Sequence, residues 1–338
     1  MKINLHIHAL SLCVNLFFEE LPRTKIAGDY HTMMIDRMLP GLEQMLPMIS
    51  RYVTVAKIGW GIPLLLDGKA LSSRVRKYRE QGISVSNGGT MLEIASTNGK
   101  HLQLLERMKE MGFSTVELSE GVIDIPRRQK NEIVEFAKSE GMRLHVEVGR
   151  KSAANQLSLE ETIDRMKNFA DYEPDMIIIE GRETGKNVEI YDQDGKIKWD
   201  WVSRITEEFE LPKIMFEAPL EDQQAQLIVR LGNTINLGNV SMHSAIPLES
   251  QRQGLRGDTF GAHLGVESVD GSPATKFVYH VIAGGGPMDQ SRIIRVTGLN
   301  RRTVQNSIDS LSNQGLLREV PDPHDLRRKL YSCEVSQK

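Results

Sequence analysis

The stretch that most constrains this chain is a run of three isoleucines, Ile177 to Ile179, followed directly by Glu180-Gly181-Arg182. A continuous apolar run of this kind predicts a strand buried on both faces, as in a parallel sheet covered by helices. The charged residues after it stand at the carboxyl end of the strand, where α/β folds keep their active sites. A buried strand followed by an ordinary solvated turn is the alternative interpretation.

The same order of strand, turn and amphipathic helix recurs along the chain. The predicted strands are Thr32–Asp36, Val53–Lys57, Ile83–Val85, Thr115–Leu118, Arg143–Val148, Asp175–Glu180, Lys213–Glu217 and Thr234–Leu237. Eight strand–helix units within roughly 230 residues have the count and length of a (β/α)8 TIM barrel. Periodicity alone would also allow a doubly wound sheet, so this α/β barrel prediction depends on the count.

Composition and the first residues narrow the class of protein. The chain of 338 residues is 40% hydrophobic and 26% charged, with a net charge of -3, which is ordinary for a globular protein without a polyanionic partner. Two distant cysteines, Cys13 and Cys333, favour a reducing cytoplasm over a disulfide scaffold.

Residues 1–22 are predicted to be an extension of unassigned role. Its apolar part, Ala9–Phe18, is too short to span a bilayer and lacks a cleavage site, so we expect neither export nor membrane association.

The composition changes after Gly271-Ser272-Pro273. Residues 273–338 contain ten Lys/Arg and six Asp/Glu, against 32 and 39 in residues 1–272. Three helical patterns followed by a hairpin predict a winged helix-turn-helix domain over residues 273–338. Asn300 is expected to be the N-cap of the second helix of the helix-turn-helix, the helix that contacts base edges in such motifs. The residues expected to contact DNA are Arg301, Arg302, Thr303, Gln305 and Asn306 on that helix and Arg327 and Arg328 on the wing. A module used only for dimerisation is the alternative.

In a barrel all strand carboxyl ends meet at one rim, so the charged residues that end the strands should converge there. They are Asp36, Lys57, Glu117, Glu147, Glu180, Arg182 and Glu217. Carboxylates suit a hard cation such as Mg²⁺, whereas Arg182 and Lys57 suit an anionic substrate. Gly88-Gly89-Thr90 is expected to offer exposed backbone N–H groups, and Arg256-Gly257-Asp258 follows the last strand, where barrels often bind phosphate. Together these residues predict a Mg²⁺-assisted reaction on a phosphorylated carboxylate.

Several of these segments, taken in order, resemble the phosphosulfolactate synthase family over about residues 23–261. They are Lys57-Ile58-Gly59-Trp60-Gly61, Asn87-Gly88-Gly89-Thr90, Glu147-Val148-Gly149, Ile178-Ile179-Glu180-Gly181-Arg182-Glu183-Thr184-Gly185, Phe216-Glu217-Ala218-Pro219 and Gly254-Leu255-Arg256-Gly257-Asp258-Thr259-Phe260-Gly261. The resemblance implies a barrel over residues 23–265 that is a carbon–sulfur lyase. It would add sulfite to phosphoenolpyruvate with Mg²⁺ and form (2R)-phospho-3-sulfolactate, which in archaea is the first step of coenzyme M biosynthesis.

The resemblance and the strand-end positions also suggest roles. Glu147, Glu180 and Glu217 would hold Mg²⁺, and Lys57 or Lys151 would protonate the substrate carbon. Arg182 and Arg256 would hold phosphate or sulfite, and the other expected substrate-binding residues are Gly88, Gly89, Thr90, Arg150, Gly257 and Asp258.

Two positions depart from the family pattern. Ile62-Pro63 follows Gly61 where small hydroxyl residues are usual, which puts the substrate in question. Arg150-Lys151 replaces a Lys-Lys pair, which makes Lys151 the safer proton donor because an arginine does not release its proton near neutral pH.

A second hypothesis is a transcriptional regulator whose barrel senses a phosphorylated acid and whose winged helix binds DNA. The complete set of Glu and Arg residues favours the enzyme, because a sensor would need the cations but not every metal ligand. We also expect a homo-oligomer.

Overall fold

The computed structural model describes residues 30–152, 155–259, 269, 271–285, 287–322 and 325–333. The chain divides into two compact units. One contains residues up to 223 together with 234–249, and the other contains residues 224–233 and 250–338. No helix in these described ranges is long and apolar enough to cross a membrane.

The first unit is built on eight parallel strands that close into a barrel in sequence order, with β8 paired to β1. The strands are β1 (Thr32–Ile35), β2 (Val55–Lys57), β3 (Ser84–Ser86), β4 (Thr115–Ser119), β5 (Arg143–Val148), β6 (Met176–Ile179), β7 (Ile214–Glu217) and β8 (Asn236–Ser241). The helices that lie between and after these strands in the chain are α1 (Leu42–Ile49), α2 (Ile62–Leu65), α3 (Gly68–Glu80), α4 (Gly89–Thr97), α5 (His101–Glu110), α6 (Arg127–Ser139), α7 (Leu159–Ala170), α8 (Trp199–Glu208), α9 (Glu221–Leu231) and α10 (Ala245–Arg252). Most of α9 and the last residues of α10 are counted in the second unit. The predicted (β/α)8 barrel is therefore confirmed.

The interior of the barrel has two layers of different chemistry. The apolar layer is formed by Met33, Val55, Met176, Ile178 and Met215. The charged layer, nearer the carboxyl ends of the strands, consists of Lys57, Glu117, Glu147, Glu180 and Glu217, all buried. Because side chains of a strand alternate between its faces, Lys57 lies two residues beyond Val55 on the same face, and Glu180 lies two beyond Ile178. One strand thus contributes to both layers.

Strand β8 differs from its prediction. It runs over Asn236–Ser241, not Thr234–Leu237, so Gly238 and Asn239 lie inside the strand rather than after it. Pairing decides these bounds, since Leu237 faces Phe216 of β7 and Gly238 faces Glu217. The buried Asn236 amide also bonds to its neighbours, accepting from His31 N and donating to Ile214 O.

The second unit carries the predicted winged helix-turn-helix. Its elements are α11 (Pro273–Gly285), α12 (Gln290–Thr297), α13 (Arg301–Asn313) and an antiparallel hairpin of β9 (Leu317–Asp322) and β10 (Asp325–Cys333). Apolar residues including Val278, Ile293, Ile308 and Leu317 form its core. The predicted cap is confirmed, because Asn300 Oδ1 accepts a hydrogen bond of 2.9 Å from the backbone N–H of Thr303.

Candidate active site

The charged layer centres on Lys57, the last residue of β2. Its Nζ lies 2.8 Å from Oε1 of Glu117, 2.6 Å from Oε2 of Glu147 and 3.0 Å from Oε1 of Glu217. These glutamates come from β4, β5 and β7. Closure of the barrel therefore brings them to the lysine, as the strand-end argument predicted.

Lys151, in the loop after β5, joins this group from a more exposed position. Its Nζ lies 3.3 Å from Glu147 Oε1 and 3.7 Å from Glu180 Oε2, and it donates a hydrogen bond of 2.9 Å to Thr90 Oγ1. The Lys151 side chain is 28% exposed, compared with 9% for Lys57. Lys151 is therefore the more accessible of the two lysines.

Burial and neighbouring charges shift the ionisation of the group. Burial raises the pKa of Glu117 to about 7 and raises the pKa of Glu180 well above its usual range. Burial also opposes ionisation of Glu147, but Lys151 and Lys57 outweigh it and hold that pKa well below its usual range. For both lysines the carboxylates likewise outweigh burial and raise the pKa. Both lysines are therefore protonated near neutral pH.

The donor set fits a hard divalent cation. Glu147, Glu180 and Glu217 each offer a carboxylate oxygen, and these oxygens lie within 4.8 Å of one another. Glu147 Oε1 and Glu180 Oε2 are buried without a hydrogen-bond partner in the described part of the chain. The group contains four carboxyl groups and two ammonium groups, and a cation with oxygen ligands would favour the ionised form of Glu180, which burial disfavours.

A cavity of about 120 Å³ opens beside this group. It is lined by Ile35, Lys57, Gly59, Trp60, Gly88, Gly89, Thr90, Lys151, Glu180, Arg182, Glu183, Glu217 and Asn239. Predicted catalytic, substrate-binding and metal-binding residues from the carboxyl ends of five strands therefore share one space.

The Gly88-Gly89 turn lies at the cavity, but its role differs from the prediction. Gly88 has a φ of +70°, and a Cβ on it would lie 2.7 Å from Gly59 Cα. A Cβ on Gly89 would lie 2.2 Å from Ser119 Cβ. The Gly89 N–H donates to Glu117 Oε1 at 2.7 Å. The expectation of exposed N–H groups is thus wrong at Gly89, because the Glu117 carboxylate takes this donor; the glycines serve close packing.

Two predicted rim residues have other partners. Asp36 accepts two hydrogen bonds of 2.8 Å from the Arg74 guanidinium and another from Tyr78 Oη. Arg150, expected to bind substrate, donates to the Glu120 carbonyl at 2.9 Å and to Asp124 Oδ1 at 2.6 Å. Neither residue lines the cavity. These hydrogen bonds occupy both side chains outside the cavity lining, so the geometry supports neither prediction of a site role.

Arg182 does line the cavity and takes an unusual backbone conformation. Its φ is +53°, in the left-handed region that residues other than glycine seldom adopt. Its Nη2 donates to the Arg150 carbonyl at 3.1 Å, whereas Nε is buried and finds no acceptor among the described residues. Asn239, which sequence reasoning missed, also lines the cavity and has a φ of +54°. The sequence feature that could have identified Asn239 as a site residue is its position at the predicted end of the eighth strand.

The other predicted site residues belong to the second unit. Arg256 forms an ion pair of 2.9 Å with Asp258, and the substrate role of these residues and of Gly257 stays a prediction. On α13, Arg301, Arg302 and Asn306 are exposed and Thr303 is partly buried. Gln305 accepts from Gln290 Nε2 at 2.6 Å and donates to Asp309 at 2.8 Å. Arg327 and Arg328 belong to β10, with side chains outside the described part of the structure.

Together the barrel and the lysine–carboxylate group at its carboxyl rim define a (β/α)8-barrel enzyme that is joined to a winged-helix unit. Comparison with known proteins then identifies the family. Residues 21–258 match the family model described as (2R)-phospho-3-sulfolactate synthase (ComA), and residues 278–328 match the model described as the MarR family.

Curated relatives agree with the first match. The phosphosulfolactate synthase of Methanocaldococcus jannaschii is 34% identical over 234 residues, which cover 68% of this chain and 93% of the relative. The phosphosulfolactate synthase of Bacillus subtilis is 30% identical over 214 residues, which cover 62% of this chain and 83% of the relative. The chain belongs to the phosphosulfolactate synthase family.

Proposed function

We propose that the barrel is a carbon–sulfur lyase of the cytoplasm that adds sulfite to phosphoenolpyruvate and forms (2R)-phospho-3-sulfolactate, with Mg²⁺ as its cofactor. The observation that carries the proposal is the meeting of Lys57, Lys151 and four buried glutamates beside one cavity, in a chain of this family. A bacterial relative shows that family membership does not by itself indicate an archaeal source, so the place in coenzyme M biosynthesis stays a prediction.

Glu147, Glu180 and Glu217 are the residues that would hold Mg²⁺. When bound, the ion would stabilise the charge that the substrate carboxylate gains as the carbon–sulfur bond forms. The sulfur lone pair of sulfite attacks the methylene carbon, and the electrons of the double bond move toward the carboxylate. The carbon that bears the phosphate then takes a proton, which completes the addition.

Lys151 is better placed than Lys57 to deliver that proton. Three carboxylate oxygens within 3.0 Å hold the ammonium group of Lys57. Lys151 faces the cavity with longer carboxylate contacts of 3.3 Å and 3.7 Å and a hydroxyl partner, Thr90. A positioned acid that can approach the reacting carbon is what this step needs. Lys57 instead neutralises and spaces the glutamates that surround it.

The test is sulfite-dependent consumption of phosphoenolpyruvate by the purified full chain, with and without Mg²⁺. We expect turnover only when both sulfite and Mg²⁺ are present, and its loss in Glu180→Gln. Glu93→Gln is the matched control, because Glu93 is a buried carboxylate outside the cavity lining that accepts hydrogen bonds from Ser119 Oγ and the N–H groups of Val122 and Ile123. Turnover without sulfite, or an active Glu180→Gln enzyme, would contradict the proposal.

A second proposed function, DNA binding, belongs to the winged-helix unit. It is favoured by the MarR family match and by the exposed Arg301 and Arg302 at the N-terminus of α13. For the full chain we expect DNA affinity to fall with salt, and the salt slope to decrease by about 1 for each phosphate-contacting arginine changed to alanine. If phosphoenolpyruvate changes DNA affinity while no turnover occurs, the hypothesis of a transcriptional regulator replaces the hypothesis of an enzyme.

A further inference from the structure

Asn239 lies at an irregularity of β8. Thr32 of β1 faces Leu237, but Met34 faces Val240, so β8 uses one more residue than β1 over the same stretch. Asn239 takes its left-handed conformation, with a φ of +54°, inside this stretch. Bulges of this kind are over-represented beside active sites, where they redirect a side chain.

The redirected side chain points into the barrel. A Cβ on Gly238 would lie 2.9 Å from Met33 Cε and 3.0 Å from Met215 Sδ, so Gly238 faces the interior. Strict alternation would then turn Asn239 outward. Instead its Nδ2 lies 3.4 Å from Glu217 Oε2 in the charged layer, and the residue lines the cavity. The bulge therefore adds a polar group to the site that the strand pattern would have excluded.

The amide of Asn239 is held in one orientation. Nδ2 donates to the carbonyl oxygen of Arg182 at 2.7 Å and to Glu217 Oε2 at 3.4 Å, and neither oxygen could bond to Oδ1 instead. Oδ1 is buried and accepts no hydrogen bond from any residue that the structure describes. The neighbouring Arg182 Nε is also buried and unpaired within the described ranges. A buried polar atom without a partner is costly, so both atoms are prepared for a ligand.

We propose that Asn239 and Arg182 bind the nucleophile of the reaction as hydrogen sulfite. Asn239 Oδ1 accepts a hydrogen bond from the O–H group of the ligand, and Arg182 Nε donates to one of its anionic oxygens. This inference depends on the proposed function. Phosphoenolpyruvate, with its carboxylate and phosphate largely ionised near neutral pH, supplies no comparable donor. The O–H group therefore belongs to hydrogen sulfite, and a bound water is the other source of the same chemistry.

Steady-state kinetics of the full chain test this assignment. Asn239→Gly removes the side chain and suits the left-handed backbone. We expect the KM for sulfite to rise about tenfold, because the variant loses one hydrogen bond to a charged ligand. The KM for phosphoenolpyruvate should change less than about twofold. A purely structural role, acting through the Arg182 backbone, would change both. Asn236→Ala is the matched control, since this buried amide on the same strand has partners for both of its polar atoms, and we expect its KM for sulfite to be unchanged.

The pH dependence separates the two sources of the O–H group. With hydrogen sulfite as ligand, the KM for total sulfite of the unmodified chain rises with pH as the ligand loses its proton, and this rise disappears in Asn239→Gly. With a bound water, the variant lowers kcat and the pH dependence of the KM is retained, which overturns the assignment. An unchanged KM for sulfite in a folded Asn239→Gly chain overturns it as well.

Failure of the proposed reaction remains distinguishable from failure of this assignment. If the unmodified chain shows no sulfite-dependent turnover, the proposed function fails, and calorimetric titration with sulfite decides the binding question. Binding to the unmodified chain that is about tenfold weaker in Asn239→Gly supports the subsite. Absence of sulfite binding, or equal binding by both proteins, overturns it.

Discussion

The apolar layer and the charged layer are built from the same strands, two residues apart, yet they serve opposite purposes. Ile178 is fully buried among other apolar side chains, and that burial stabilises the barrel. Glu180, next on the same face, is also buried, but its Oε2 accepts no hydrogen bond in the described structure, and burial and the neighbouring carboxylates raise its pKa. Stability and chemistry are thus separated along the barrel axis, with the destabilising charges confined to the end that a substrate can reach.

The largest effect should follow from removing the accessible acid of the charged layer. We expect Lys151→Met to lower kcat by about 10²–10⁴-fold, the usual contribution of a positioned proton donor, with little loss of folding stability. Steady-state rates of sulfite-dependent phosphoenolpyruvate consumption, beside a thermal melt, would measure both. A variant that retains its turnover would assign the proton to another group.

The second lysine should affect stability instead. Lys57→Met leaves Glu117, Glu147 and Glu217 buried without their shared cation, and breaking such a buried group costs about 3–5 kcal/mol. Urea unfolding near pH 7 would measure the loss. Adding Glu117→Gln should recover part of it, because one of the uncompensated carboxylates is then neutral. Equal stability of Lys57→Met and the unmodified chain would mean that the carboxylates are not ionised together.

In the apolar layer a substitution should lower stability and leave the kinetic constants nearly unchanged. Ile178→Ala creates a cavity in the interior and is expected to cost about 2–5 kcal/mol in unfolding free energy. The KM values of the folded enzyme should stay within about twofold, because the side chain lies below the cavity lining. Glu180→Gln, on the same face two residues later, is the natural comparison, since it should abolish turnover with little loss of stability. If Ile178→Ala changed the KM values as strongly as Glu180→Gln changes turnover, the separation of the layers would not hold.

The features of the fold and the site that could be predicted from the sequence are those that follow from short-range patterns or from the closure of the barrel. The buried strand through Ile178 and the cap at Asn300 follow from short-range pattern, and both were predicted correctly. Convergence of Lys57 with Glu147 and Glu217 also followed, because barrel closure dictates where strand ends meet. By contrast, no pattern tells that Asp36 pairs with Arg74.

The predictions that failed for Arg150 and Asn239 also depended on contacts that no sequence pattern indicates. The Arg150–Asp124 pair forms through a loop conformation that the sequence does not encode in any periodic form. The inward turn of Asn239 depends on a bulge whose register is set by pairing with β1.

The last effect concerns pH and is the smallest when it is counted per pH unit. It comes from His145, which lies two residues before Glu147 on β5. Burial lowers its pKa from 6.5 to about 3, although Asp175 acts in the opposite direction. Above pH 6.5 the histidine is neutral in both the folded and unfolded chains, and its environment adds no pH dependence. As the pH falls from there toward 3, the unfolded chain takes up a proton that the folded chain refuses, so stability falls by about 1.4 kcal/mol per pH unit from this residue.

Replacing the histidine isolates its contribution from that of the carboxylates, which also respond to acid. We expect the unfolding free energy of His145→Asn to fall less steeply than that of the unmodified chain as the pH is lowered from 6.5, whatever the variant's stability at neutral pH. Urea unfolding of both proteins at several pH values gives the two slopes. Parallel curves would mean that the folded barrel protonates His145 as readily as the unfolded chain does. A flatter curve for the variant would extend the comparison to a third kind of interior group, one that is polar and buried but kept neutral, on the same strand that supplies Glu147 to the charged layer.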